Sequence, residues 1–117
     1  MNQFSNNQVV FSVLAVIVVV FLILRNQLGK MKVRKALEGD VLVIDVRSPS
    51  EYALGHYKDA VNIPHDQIAG KLNKIGALDR KIVVYCASGA RSAAVEQTLH
   101  SKGYIHVTNA GSYSRMP

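Results

Sequence analysis

Lys81-Ile-Val-Val-Tyr-Cys86-Ala-Ser-Gly-Ala-Arg91-Ser-Ala-Ala-Val95 decides the fold of this 117-residue chain. The β-branched apolar run before Cys86 reads as a buried strand, and Ser92 onward reads as a helix. Cys86 is the single cysteine of the chain. One sulfur is thus expected at the carboxyl end of a strand, in a tight loop facing a helix amino terminus. Open α/β sheets bind their ligands at that edge. Free N–H groups and the helix dipole there favour negative charge, so a thiolate is stabilised and an anion can sit beside it.

Four residues separate Cys86 from Arg91. A loop of that length curls so that its N–H groups point inward, a nest for anions. Gly89 suits a turn position with positive φ or a close ligand approach. Arg91 supplies a permanent charge and a planar fork of donors. A thiol so placed and partly exposed is expected to be reactive, with a pKa lowered to roughly 3.5–7.5. The bland alternative is a small buried hydrophobe ending a core strand. Cysteine phosphatases carry one residue more between Cys and Arg, and their wider ring surrounds a phosphate. The smaller ring here suits attack on a sulfane sulfur.

A second stretch adds to the first: Asp45-Val-Arg47-Ser-Pro-Ser-Glu51-Tyr52-Ala-Leu-Gly55-His56-Tyr-Lys-Asp-Ala60-Val-Asn62-Ile-Pro64. Together with Cys86-Ala-Ser-Gly89-Ala-Arg91-Ser92 it resembles the single-domain rhodanese sulfurtransferases over roughly Lys32 to Pro117. The resemblance implies a parallel sheet flanked by helices, without a cofactor or metal. It implies that Cys86 takes a sulfane sulfur from a donor such as thiosulfate and carries it as a persulfide, which an external thiol or cyanide then removes. Ala87, Ser88, Gly89, Ala90, Arg91 and Ser92 would hold the anionic donor. With one cysteine, no internal disulfide releases the sulfur, so the acceptor is expected to be a separate thiol or acceptor protein.

The chain departs from the family pattern in places. Asp59 stands where a glycine is usual, so that turn is expected to differ or to be tightened by an Asx bond. The segment Val107–Tyr113 departs from the usual ending, and a closing helix is expected to be shortened or absent. Ala87 and Ala90 replace polar or basic residues. Arg91 is then the sole loop cation, and thiosulfate is expected to bind weakly.

Asp45, Arg47 and Glu51 are read as structural support. Ser48-Pro49-Ser50-Glu51 is a helix start with Ser48 as cap and Glu51 reaching back. Arg47 is expected to pair with Glu51 or Asp45, and Asp45 lies nearer the active edge. His56 reads as a turn histidine bonded to backbone. His56, His65, His100 and His106 lack metal-ligand spacing.

Val9–Leu24 is apolar apart from Ser12, and no charged side chain precedes Arg25. A span needs about 20 apolar residues, and the uncharged flanks extend this run. Residues 1–28 are therefore read as a transmembrane anchor and 29–37 as a basic juxtamembrane segment. Arg25, Lys30, Lys32, Arg34 and Lys35 follow the apolar run, which puts the carboxyl side in the cytoplasm. A lone thiol suits a reduced compartment. The chain carries 14 basic and 8 acidic residues, and five of the basic ones lie before Glu38. The remainder is nearly neutral, so the basicity belongs to a lipid bilayer surface and not to nucleic acid.

Residues 38–117 read as one α/β domain. Helices are expected at Met31–Leu37, Pro49–Leu54, Asp66–Lys74 and Ser92–Lys102, the last burying Ala94, Val95 and Leu99. Strands are expected at Val41–Asp45, Ala60–Ile63, Lys81–Tyr85 and His106–Val107. Strands alternating with helices imply a parallel sheet covered on both faces. A binding module that docks a partner, or relays sulfur to it, is the competing function.

Overall fold

The computed structural model describes residues 3–117. They divide into two compact units at Met31 and Lys32. The first lies within helix α1 (Gln3–Ala36). Side chains from Ser5 to Leu28 are exposed, and the most apolar stretch of 18 residues has a mean hydropathy of 2.7. The helix is long and apolar enough to cross a membrane. Ser12 satisfies its hydroxyl internally by donating to the Gln8 carbonyl at 2.9 Å. The sequence suggests a separate helix from Met31, but α1 continues to Ala36. Gly29 does not stop it, because a lone helical glycine costs only ~1 kcal/mol.

The second unit holds strands β1 (Leu42–Asp45), β2 (Val61–Asn62), β3 (Ile82–Cys86) and β4 (Val107–Ser112). They form one parallel sheet in the order β2-β1-β3-β4. Helices α2 (Pro49–Ala53), α3 (Leu72–Ile75) and α4 (Ala90–Ser101) connect them, together with 3-10 turns at His65–Gly70 and Tyr113–Arg115.

Side chains alternate along a strand, so each strand serves both faces. Ile44, Ile82, Val84 and Cys86 pack with Ile68, Ile75, Val95 and Leu99 on the face covered by α4. Val43, Val83, Tyr85 and Ala110 pack with Val33 and Ala36 on the other. Lys81 helps fix that second layer, its ammonium donating to the Lys35 and Glu38 carbonyls at 3.3 and 2.7 Å.

Several elements differ from the sequence expectation. The helix expected at Asp66–Lys74 is a 3-10 turn and one turn of α3, interrupted at Lys71. Its apolar period still holds, since Ile68 and Ile75 are buried and Leu72 is partly so. Helix α4 starts two residues early and buries Ser92, Val95 and Leu99, leaving Ala94 exposed. Strand β4 runs to Ser112, well past the expected His106–Val107. The closing element is a single 3-10 turn. Asp59 keeps a left-handed φ of +64° without an Asx bond among the described residues. Asp is among the few side chains that tolerate this conformation.

Candidate active site

The loop at the end of β3 is shorter than it reads, because β3 reaches Cys86 and α4 begins at Ala90. Arg91 and Ser92 therefore stand in the first turn of α4. Gly89 precedes that turn with φ +101°. Its N–H points back at the sulfur, with N and Sγ 2.9 Å apart. The Ser92 hydroxyl reaches the same sulfur at 3.4 Å and the Gly89 carbonyl at 3.1 Å. A hydroxyl has one hydrogen, so ionising the thiol draws it to sulfur.

Cys86 is in phase with Ile82 and Val84, so its side chain enters the layer under α4. It is 0 % exposed, against the expected partial exposure. Its loop neighbours Ala87, Ser88 and Ala90 are exposed, so the sulfur forms the floor beneath an open loop. Burial pushes the thiol up. The Ser92 hydroxyl and the N–H groups of Ser92, Gly89 and Ser88 outweigh that and bring it below its usual 9.0. A thiol pKa depressed by folding contributes stability above 9.0 and loses it as pH falls through the folded value. Alkylation of Cys86 by iodoacetamide should therefore rise with a midpoint below 9.0. Ser92→Ala should move that midpoint upward; an unmoved midpoint would mean that the hydroxyl does not stabilise the thiolate.

Arg91 does not point freely into the loop. Its Nη1 and Nη2 donate to the Glu51 carboxylate at 2.7 and 3.0 Å. The pair raises Arg91, with a weaker contribution from the Cys86 sulfur. Glu51 falls to about 2, through Arg91 first and the Ser48 N–H second. Glu51 also completes the capping box expected at Ser48. Beside Arg91 lies a cleft of about 230 Å³ lined by Ser48, Pro49, Pro64, His65, Asp66 and Gln67.

Of the residues read as support, Arg47 pairs with Asp45 and not with Glu51. Its Nη2 is 2.7 Å from Asp45 Oδ2, and its Nε is 3.0 Å from Oδ1. Asp45 is in phase with Val43, so it lies on the sheet face opposite Cys86. Tyr85 donates to it at 2.8 Å. His56 donates through Nδ1 to the Tyr52 carbonyl at 2.9 Å, as expected of a turn histidine.

Sequence reasoning missed Gly111. The β3–β4 register slips between Val84 and Tyr85, whose partners are Asn109 and Gly111. The bulge is held by Glu96 accepting from the Asn109 N–H at 3.0 Å and by the Asn109 side chain accepting from the Gly111 N–H at 2.8 Å. It presses Gly111 against the loop: a Cβ on Gly89 would lie 3.3 Å from Gly111 Cα. Gly89→Ala thus meets backbone and a left-handed φ together. It should cost about 1–3 kcal/mol of stability and turn the N–H off the sulfur. Chemical denaturation checks the first effect and the alkylation midpoint the second.

The Rhodanese-like domain family matches residues 30–114. The chain belongs to the rhodanese-like family. It is 41% identical over 70 residues to a sulfurtransferase of Allochromatium vinosum, covering 60% of this chain and 64% of that protein. It is 35% identical over 69 residues to the thiosulfate sulfurtransferase PspE of Escherichia coli, covering 58% of this chain and 66% of that protein. The match thus spans just under two thirds of these curated relatives. A solved rhodanese with anions from E. coli is 32% identical with a TM-score of 0.63, covering 67% of this chain and 95% of that one. The parallel sheet and its helices are the rhodanese fold.

Proposed function

We propose that this rhodanese-like chain is a membrane-anchored sulfurtransferase working through a persulfide on Cys86. The observation that carries the reading is the Gly89 N–H aimed at Sγ from 2.9 Å, where an inner strand meets a helix start. The Cys86 thiolate attacks the outer sulfur of a donor such as thiosulfate. An Sγ–S bond forms, the donor's S–S bond breaks, and its electron pair leaves on sulfite. Cyanide or an external thiolate then attacks the carried sulfur. The Sγ–S bond breaks and its pair returns to Cys86, so no outside oxidant is needed. The amides of the loop steady the charge in both steps. The cleft beside Arg91 has room for a small acceptor thiol.

Residues 1–28 would anchor the chain, with the basic side chains of 29–37 against the headgroups and 38–117 in the cytoplasm. The apolar stretch of α1, with no charge before Arg25 and five basic residues from Arg25 to Lys35, supports this. The full chain in detergent should gain the mass of one sulfur atom on Cys86 with thiosulfate alone, and release thiocyanate once cyanide is added. Absence of both overturns the reading. Two observations favour a docking module instead: the sulfur is buried, and its loop's one guanidinium is taken by Glu51. In cells, Cys86→Ser matching wild type would favour docking.

A further inference from the structure

The charge on Glu51 has no task in the transfer just described. Its Oε1 accepts from Arg91 at 2.7 Å and from the Ser48 N–H at 3.0 Å, and its Oε2 accepts from Arg91 at 3.0 Å. The capping box needs an oxygen at this position, and glutamine supplies one as well as glutamate does. The negative charge is therefore surplus to the cap. A partly exposed ion pair adds little stability. The carboxylate does, however, cancel the only guanidinium of the loop. With Cys86 ionised, the three groups together carry one net negative charge. Ala87 and Ala90 add no cation. Because Glu51 titrates at about 2, the balance holds at all physiological pH.

We propose that Glu51 sets the donor preference of this site: by neutralising Arg91 it turns the loop against dianions such as thiosulfate and towards neutral or singly charged sulfane-sulfur carriers such as hydropersulfides. The proposal rests on the sulfurtransferase reading of Cys86. With a hydropersulfide R–S–SH, the thiolate attacks the outer sulfur, Sγ–S forms, and the R–S–S link breaks with its pair leaving on RS⁻. The proton stays on the carried sulfur. Glu51 touches neither donor nor sulfur; it acts through Arg91 as a positioning residue.

The single cysteine makes the potential at sulfur measurable without any transfer. Anionic iodoacetate and neutral iodoacetamide would be reacted with the full chain in detergent. Glu51→Gln should raise the iodoacetate-to-iodoacetamide rate ratio about fivefold, and high salt should erase the gain. The thiosulfate KM should fall by a similar factor, the change lying in KM more than kcat. Glu51→Asp keeps the charge and should keep the wild-type ratio. Removing both charges in E51Q/R91Q should restore it.

An unchanged ratio in E51Q, with wild type turning over thiosulfate, overturns the proposal and leaves the transfer reading standing. A raised ratio with an unchanged thiosulfate KM overturns the donor preference. An unfolded E51Q, judged by tyrosine circular dichroism, makes the charge structural and overturns it too. Failure of every donor to load sulfur on wild type overturns the parent reading. Alkylation by neither reagent overturns both.

Discussion

Cys86→Ser is expected to lower thiocyanate formation by about 10³-fold or more while leaving the fold intact. The loop stabilises an anion on sulfur: the Gly89 N–H at 2.9 Å and the Ser92 hydroxyl at 3.4 Å both donate to it. A serine hydroxyl stays protonated at neutral pH, so the same donors find no anion to hold. Oxygen is also a poor nucleophile towards divalent sulfur, and it cannot carry the transferred atom as a persulfide. The fold should survive because the substitution is nearly isosteric and the hydroxyl inherits the two donors. Mass spectrometry should then find no added sulfur after thiosulfate treatment. A variant retaining a tenth of wild-type activity, or still gaining a sulfur, would move the chemistry off Cys86 and leave the loop as scaffold.

How much of this site could be read in advance depends on how local each interaction is. The strand expected at Lys81–Tyr85, observed at Ile82–Cys86, declared itself by β-branched residues, and the Ser48–Glu51 box by spacing alone, because each is settled within a few residues. The turn at Gly89 is equally local, and its positive φ is one of the two uses the sequence offers for a glycine there. The partners of charged side chains were not. Glu51 meets Arg91 across 40 residues, and nothing in either local pattern distinguishes that pairing from Glu51 with Arg47. The burial of Cys86 turned on strand phase: one extra residue on β3 puts the sulfur in step with Val84. The bulge that delivers Gly111 to the loop depends on Glu96 and Asn109, which share no motif. Asp45 ends β1 at the sheet edge where β3 ends, and side-chain alternation turns it to the face opposite Cys86.

That opposite face supports the second large effect, on stability. Asp45→Asn should destabilise the α/β unit by about 3–5 kcal/mol, the cost of leaving a buried charge unpaired. Asp45 is 0 % exposed and Arg47 7 %, so water does little to compensate. The carboxylate accepts the Arg47 N–H at 2.9 Å, the guanidinium through Nε and Nη2, and the Tyr85 hydroxyl at 2.8 Å. Arg47 in turn donates to the Gly55 carbonyl at 2.6 Å and lies 4.7 Å from the Tyr113 ring centroid. One carboxylate thus ties β1, β3, the turn after α2 and the closing 3-10 turn together. A small domain has about 5–15 kcal/mol in all, so the loss should drop its melting midpoint by roughly 15 °C or more. All five tyrosines lie in the second unit, so their near-ultraviolet circular dichroism follows its melting without interference from the apolar helix. Removing both charges in D45N/R47M should recover part of the loss, because no unpaired charge then remains. A D45N protein that melts with wild type yet transfers no sulfur would contradict the scaffold reading and give Asp45 a part in the chemistry after all.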